Sequence, residues 1–201
     1  MIRNTPKDKI LEITDAQKAF FRTGATLDIG FRKEMLGKLK AAIEKWESEL
    51  SKALWQDLHK SYEEAYLTEI SIVKGEISNH IRHVKGWASR KRRNSPLKLF
   101  PSRSYTVKEP LGCSLIIAPW NYPVQLLLNP LVGAISAGCT AMLKPSPYVP
   151  AVSKAIEEMI KETFDEKYIA VVQGNREVNT TLLEQRWDMI FFTGSPSLGR
   201  K

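Results

Sequence analysis

The sequence predicts an α/β protein in which a helical N-terminal region leads into a parallel sheet built in the order βαβαβαβ. Three observations carry this. The front half repeats apolar residues at three- and four-residue steps, the period of a helix buried along one face. The back half holds four short apolar runs without polar alternation, as strands covered on both faces require. Those runs alternate with helical stretches, and alternating units of this kind form a parallel sheet through right-handed crossovers.

In the front half, Leu36, Leu39, Ile43, Trp46, Leu50 and Leu54 make one apolar stripe, with lysines and glutamates opposite. His59 falls in an inter-helix turn. Ser61, with Glu64 three residues on, reads as a capping box opening a second helix whose stripe is Tyr66, Ile70, Val73, Ile77, Ile81 and Val84. Both stripes read as core. His80 and His83 lie three apart on this helix, but no Cys or carboxylate cluster accompanies them, so no metal site is expected. The basic, proline-broken link SRKRRNSPLKLFP (Ser89 to Pro101) reads as a solvated helix end, and Ser104 to Val107 alternates as an exposed strand. The expected organisation is helices over 1–93, a link and arm strand over 94–110, and the sheet core over 111–201.

From Leu111 the expected order is strand to Ala118, helix Val124 to Ala137, strand Cys139 to Leu143, helix Val149 to Phe164, strand Ile169 to Gln173, helix Arg176 to Glu184 and strand Met189 to Thr193. Gly133 and Gly138 lie inside and at the end of a helix, where close packing and a C-cap explain them better than phosphate binding.

Composition narrows the class. With 201 residues, 43% hydrophobic and 26% charged, the chain is ordinary soluble material. No apolar run approaches the roughly 18 residues of a membrane helix, and Met1 to Pro6 does not lead into a secretory segment. The two cysteines suit a reducing compartment, so a cytoplasmic location is expected. The net charge of +8, densest at Arg90 to Arg93, raises the question of nucleic acid or lipid partners. No nucleic-acid-binding motif accompanies the cluster, and none is expected.

Chemistry gathers where the buried runs end, since ligands collect at the carboxyl ends of strands in open α/β sheets. The first run closes on Pro119-Trp120-Asn121-Tyr122-Pro123. The Asn121 carboxamide offers two uncharged N–H donors, suited to a developing oxyanion; the alternative is that it bonds its own turn and Trp120 packs. The second run closes on Lys144-Pro145-Ser146, the third on Gly174, and the fourth on Gly194-Ser195-Pro196-Ser197-Leu198-Gly199. A glycine turn between a strand and a helix start presents backbone N–H groups to an anion, and Pro196 fits just inside such a helix.

APWNYP, LKPS and FFTGSPSLG, in that order, with the lead-in FPSRSYTVKEPLG and with RWDMIFFTGS, resemble the cofactor domain of the aldehyde dehydrogenase superfamily, most closely its class 3-like branch. The resemblance implies a Rossmann-like core in an aldehyde dehydrogenase-like fold, here incomplete, and a coenzyme that is NAD or NADP. It implies that Asn121 is the oxyanion donor, that Lys144 and Ser146 bond the adenosine ribose, and that Gly194 through Gly199, with Trp120, contact the pyrophosphate. Gly174 lies near the adenine and Tyr122 resembles a substrate-tunnel residue, plain packing being its alternative. Pro147 stands where many members carry a ribose-binding glutamate, which leaves NAD against NADP open.

The resemblance further implies an aldehyde substrate, fatty or aromatic, oxidised through a cysteine thiohemiacetal, and a homodimer joined through the arm. The family's nucleophilic cysteine and water-activating glutamate are expected beyond Lys201. Cys113 and Cys139, in apolar strand surroundings, read as inert thiols. The chain is therefore expected to be inactive by itself. Two alternatives stand: a non-catalytic dinucleotide-binding remnant, and a P-loop nucleotidase, against which Arg200 and Lys201 occupy the wrong positions of the phosphate loop.

Overall fold

The computed structural model describes residues 3–200, and for Leu198 the backbone only. Helix α1 (Lys7–Arg22) precedes the long α2 (Ile29–Leu58). A second long helix follows in three parts: a first turn α3 (Tyr62–Ala65), a π-helical turn (Tyr66–Ile70) and α4 (Ser71–Trp87). Two short strands, β1 (Lys91–Arg93) and β2 (Ser104–Thr106), pair antiparallel as a ribbon. Then come β3 (Cys113–Ile117), α5 (Pro123–Ala137), β4 (Thr140–Lys144), α6 (Pro150–Thr163), β5 (Ile169–Val171), α7 (Arg176–Leu183), β6 (Met189–Phe192) and the single turn α8 (Pro196–Gly199).

The four strands β3 to β6 form one parallel sheet in the order β5-β4-β3-β6. Successive residues of a strand face opposite sides. Ile116, Ala141, Leu143, Ile169 and Val171 therefore join the larger core with α2, α4, α5 and α6, while Leu115, Ile117, Met142 and Ala170 meet α1 and α7. The stripes anticipated on α2 and α4 supply the first core: Leu36, Leu39, Ile43, Leu50, Leu54, Ile70, Val73 and Ile77 are all fully buried.

Three features differ from the expectation. Helix α1 belongs to the sheet: Ile10 and Ile13 cover its second face, and Gln17 Nε2 donates to the Ala141 carbonyl at 2.9 Å. Lys91–Arg93 is a strand, not a helix end, with Lys91 opposite Thr106 and all three residues exposed; charged side chains suit an uncovered ribbon. Gly133 has open space around it, so close packing is not its reason. Gly138 does cap α5, at φ +87°, and an added Cβ would lie 2.7 Å from the Arg32 guanidinium.

Helices α5 and α6 both begin at a proline and lack a local side-chain cap. Their first N–H groups are met from the helical layer instead. Glu69 Oε2 accepts from Val124 N at 2.8 Å and Gln125 N at 3.2 Å, and Asp57 Oδ2 accepts from Val152 N at 2.9 Å. Carboxylates there also oppose the positive ends of the helix dipoles. The helical layer thus anchors the loops at the strand ends.

Candidate functional site at the carboxyl edge of the sheet

Register places the four strand ends along one edge. Ile117 stands opposite both Lys144 and Phe192, and Leu143 opposite Val171. Thr193 N donates to the Ile117 carbonyl at 3.1 Å, and Ala118 N to the Lys144 carbonyl at 3.2 Å, so the segments carrying Asn121, Lys144, Gly174 and Gly194 all leave the same side.

Asn121 is exposed. Its backbone carbonyl accepts from Lys60 Nζ at 2.9 Å, while among the described residues its carboxamide bonds nothing, including its own turn. Trp120 and Tyr122 flank it, both substantially exposed, and the Lys60 ammonium sits 4.0 Å above the Tyr122 ring centroid.

Lys144 is the unusual group. Lys144 is 1% exposed, and among the described residues Nζ donates only to the Pro145 carbonyl, at 2.9 Å. Burial pushes its pKa down to about 8. A lysine has three protons to place, and among the described residues one has a protein acceptor. Ser146, also buried, is occupied by its own turn: Oγ accepts from Tyr148 N at 3.3 Å, and its carbonyl accepts from Ser153 Oγ at 2.8 Å.

Gly174 has a structural reason to be glycine. At φ +144°, an added Cβ would meet Val178 Cγ2 at 2.4 Å and Asn4 Oδ1 at 2.8 Å. In the last loop Gly194, Ser195, Pro196, Ser197 and Gly199 are exposed; the Ser195 and Ser197 hydroxyls lie 3.0 Å apart, and Gly199 N donates to the Ser195 carbonyl. The Leu198 side chain lies outside the described residues.

Both cysteines sit at the opposite edge. Cys113 opens β3 and Cys139 immediately precedes β4, both buried, with the Cys113 thiol pushed up by desolvation. Neither faces Asn121 across the strand length between them. Among the described residues no group of three or more His, Cys, Asp or Glu gathers as a metal site, and no helix is long and apolar enough to cross a membrane.

Sequence reasoning missed Lys60 and Glu69. Lys60 Nζ bonds Glu69 Oε1 at 2.7 Å, with side-chain exposures of 9% and 0%. Lys60 follows His59, which ends α2 in the left-handed region at φ 55°, and Glu69 lies in the π-helical turn. A regular 3.6-residue pattern gives neither position away: Lys60 lies between helices, and the π turn shifts which residues face inward around Glu69.

The arrangement is a row of strand-end loops bearing an unengaged carboxamide, an under-bonded buried ammonium and a glycine-bounded turn. Comparison with known proteins bears on the family and the fold. A structure of AldH from Staphylococcus aureus, in a substrate-bound state, superposes with a TM-score of 0.92 at 48% identity, over 95% of this chain and 42% of that one. A glyceraldehyde-3-phosphate dehydrogenase from Methanocaldococcus jannaschii, complexed with NADP, shares the fold at a TM-score of 0.81 and 24% identity, over 99% of this chain and 44% of that one. Among curated relatives, 4,4'-diaponeurosporen-aldehyde dehydrogenase of Staphylococcus aureus is 49% identical over 91% of this chain and 40% of its own length. Aldehyde dehydrogenase family 3 member F1 of Arabidopsis thaliana is 36% identical over 96% of this chain and 40% of its own length. The chain thus spans about 40% of the length of these curated relatives. Because residues 2–201 match the aldehyde dehydrogenase family along essentially the whole sequence, and the fold agrees, the chain belongs to that family.

Proposed function

We infer that the chain is the coenzyme-binding front portion, a partial NAD(P)-binding domain, of an NAD- or NADP-dependent dehydrogenase that oxidises an aldehyde to a carboxylic acid. The observation that carries this is Lys144: a buried ammonium with one protein acceptor among the described residues, at the end of a strand adjoining the one that leads to Asn121. Holding a desolvated cation with unused donors has a purpose if a ligand supplies the missing acceptors. Ribose hydroxyls fit that need, and the site fits a dinucleotide on this ground.

In this reading Lys144 and Ser146 hold the ribose, and Gly174 borders the adenine. Trp120 and the loop from Gly194 through Ser195, Pro196, Ser197 and Leu198 to Gly199 contact the pyrophosphate. The nicotinamide supplies a two-electron hydride acceptor. Asn121 donates Nδ2–H to the oxyanion that forms when a thiolate adds to the aldehyde carbon, a contribution of roughly 2.7 to 4 kcal/mol for such donors. Tyr122 borders the substrate, a fatty or aromatic aldehyde. The name of the S. aureus relative supports an aldehyde as the substrate.

Neither Cys113 nor Cys139 serves as the nucleophile, given their burial at the far edge. The chain alone is accordingly inactive, and the β1–β2 ribbon joins two copies of the longer enzyme in the cytoplasm. A non-catalytic dinucleotide-binding role draws on the same cysteine placement. The nucleotidase alternative turns on Lys201, which lies outside the described residues.

Titration of the purified chain with NADH and NADPH, followed by energy transfer from tryptophan, tests the reading. Saturable binding is expected, weakened about tenfold or more in Lys144→Met through lost charge-assisted bonds. Absence of binding by the native chain overturns the coenzyme assignment. Aldehyde with NAD or NADP should give no turnover, and turnover would overturn the inactivity.

A further inference from the structure

We propose that Lys60 and Glu69 are positioning residues that hold the Asn121 loop from beneath, fixing the direction in which its carboxamide points. The proposal rests on the reading of Asn121 as oxyanion donor. Its physical basis is a closed set of contacts. Each of the three Lys60 Nζ protons has an acceptor available: Glu69 Oε1 at 2.7 Å, the Asn121 carbonyl at 2.9 Å and the Tyr122 ring face. The second oxygen of Glu69 accepts from Val124 N and Gln125 N, in the first turn of α5.

The two charges thus grip residue 121 by its carbonyl, residue 122 by its ring and residues 124 and 125 by their amides. Between them Pro123 restricts φ and has no N–H to leave unsatisfied. The Asn121 carboxamide makes no bond among the described residues, so its backbone is anchored and its donors are free.

A purely structural purpose would be served more cheaply. Replacing a buried ion pair with well-packed apolar groups is often neutral or stabilising, so such a pair is weak evidence of stability. What an ion pair supplies that apolar packing does not is direction. An oxyanion donor stabilises its target only if aimed beforehand at the site where charge develops. The π-helical turn fits the same purpose, because an inserted residue re-aims the side chains of a helix, and Glu69 lies within it, fully buried.

Nitrogen-15 relaxation and hydrogen exchange on the 201-residue chain test the proposal. In the native chain the Asn121 backbone should be as rigid as β3, with an order parameter of about 0.85; a mobile Asn121 backbone overturns the clamp without any variant. Lys60→Met, which keeps the stem but loses the donors, should mobilise the Asn121 backbone and side-chain amide while exchange in β4 and α6 stays native. Lys60→Arg, which restores donors, should return the Asn121 signals towards native values. Glu69→Gln should speed exchange of the Val124 and Gln125 amides roughly tenfold, and carries the test if Lys60→Met does not fold. An unchanged Asn121 in Lys60→Met, a loosening spread evenly through the core, or no recovery in a folded Lys60→Arg overturns the proposal. Coenzyme titration is independent of these outcomes, so failure of the binding reading and failure of the clamp are told apart.

Discussion

A lysine held in a desolvated strand end weakens the fold, and the pH dependence of that cost identifies it. The Lys144 pKa falls from 10.5 to about 8 through burial alone, a difference equivalent to roughly 3 kcal/mol. Below pH 8 folded and unfolded chains both hold the proton, so the penalty is complete and flat. Between about 8 and 10.5 the unfolded chain retains a proton that the folded chain has released, and stability therefore rises with pH. Two buried groups oppose this rise: desolvation pushes up the Cys113 thiol from an ordinary 9.0 and the Tyr168 hydroxyl from 10.0, so each lowers stability as pH climbs past its ordinary value. Lys144→Met should be more stable than the parent by up to about 3 kcal/mol at neutral pH and should lack the alkaline rise, as read from urea midpoints across pH. A stability difference between parent and Lys144→Met that stays constant from about pH 8 to 10 would show that Lys144 is not the buried cation described. The positions of Lys144 and Asn121 at this edge were legible in the sequence because Lys144 directly follows one apolar run and Asn121 lies three residues past Ala118, where another ends, which fixes strand, direction and edge together. Lys60 and Glu69 were not, because their partners lie 61 and 55 residues away at Asn121 and Val124.

Helix starts carry the corresponding lesson for elements. The expected bounds of α5, α6 and α7 lie within one residue of those observed, since apolar period and flanking prolines locate helices well. What fills their first turns was hidden, because α5 and α6 take their caps from Glu69 and Asp57 in the preceding layer. The capping box at Ser61 was only half legible: Ser61 Oγ accepts from Glu64 N at 3.2 Å, but the helix it opens changes period within two turns. Asp57→Ala should cost about 1 kcal/mol, the usual value of a lost N-cap, and speed exchange in the first turn of α6; Asp57→Asn, which keeps an acceptor, should cost less. At the other end of α5, Gly138 meets two demands, a left-handed φ and the Arg32 guanidinium against its Cα. Arg32 donates to the Thr26, Leu27 and Ser136 carbonyls, tying the start of α2 to the end of α5. Gly138→Ala should therefore cost about 2 kcal/mol or more, conformational strain plus disturbed Arg32 bonds. A loss below half of that in chemical denaturation would mean that Arg32 moves aside freely.

Across the whole molecule the sheet is unevenly covered. Strands β3, β4 and β5 are buried throughout, whereas Ile190, Phe191 and Phe192 on β6 are each exposed by 38% or more, and among the described residues β6 pairs only with β3. An apolar edge strand is a template for association. On the ribbon side, Leu97 and Phe100 are more exposed still. Opposing this is the net charge of +8, which makes copies repel. Salt decides between the two, because at about 0.15 M it screens charges beyond roughly 8 Å while leaving apolar burial intact. The chain should therefore self-associate reversibly, more strongly as salt rises, when followed by sedimentation at several concentrations. Phe191→Lys, placing charge on the open strand, should shift the equilibrium towards monomer without lowering the unfolding midpoint much. Association that dissolves with salt would instead mean that the basic cluster at Arg90 to Arg93 bridges copies through a bound polyanion, and a salt-independent monomer would mean that the β6 edge is not sticky at all.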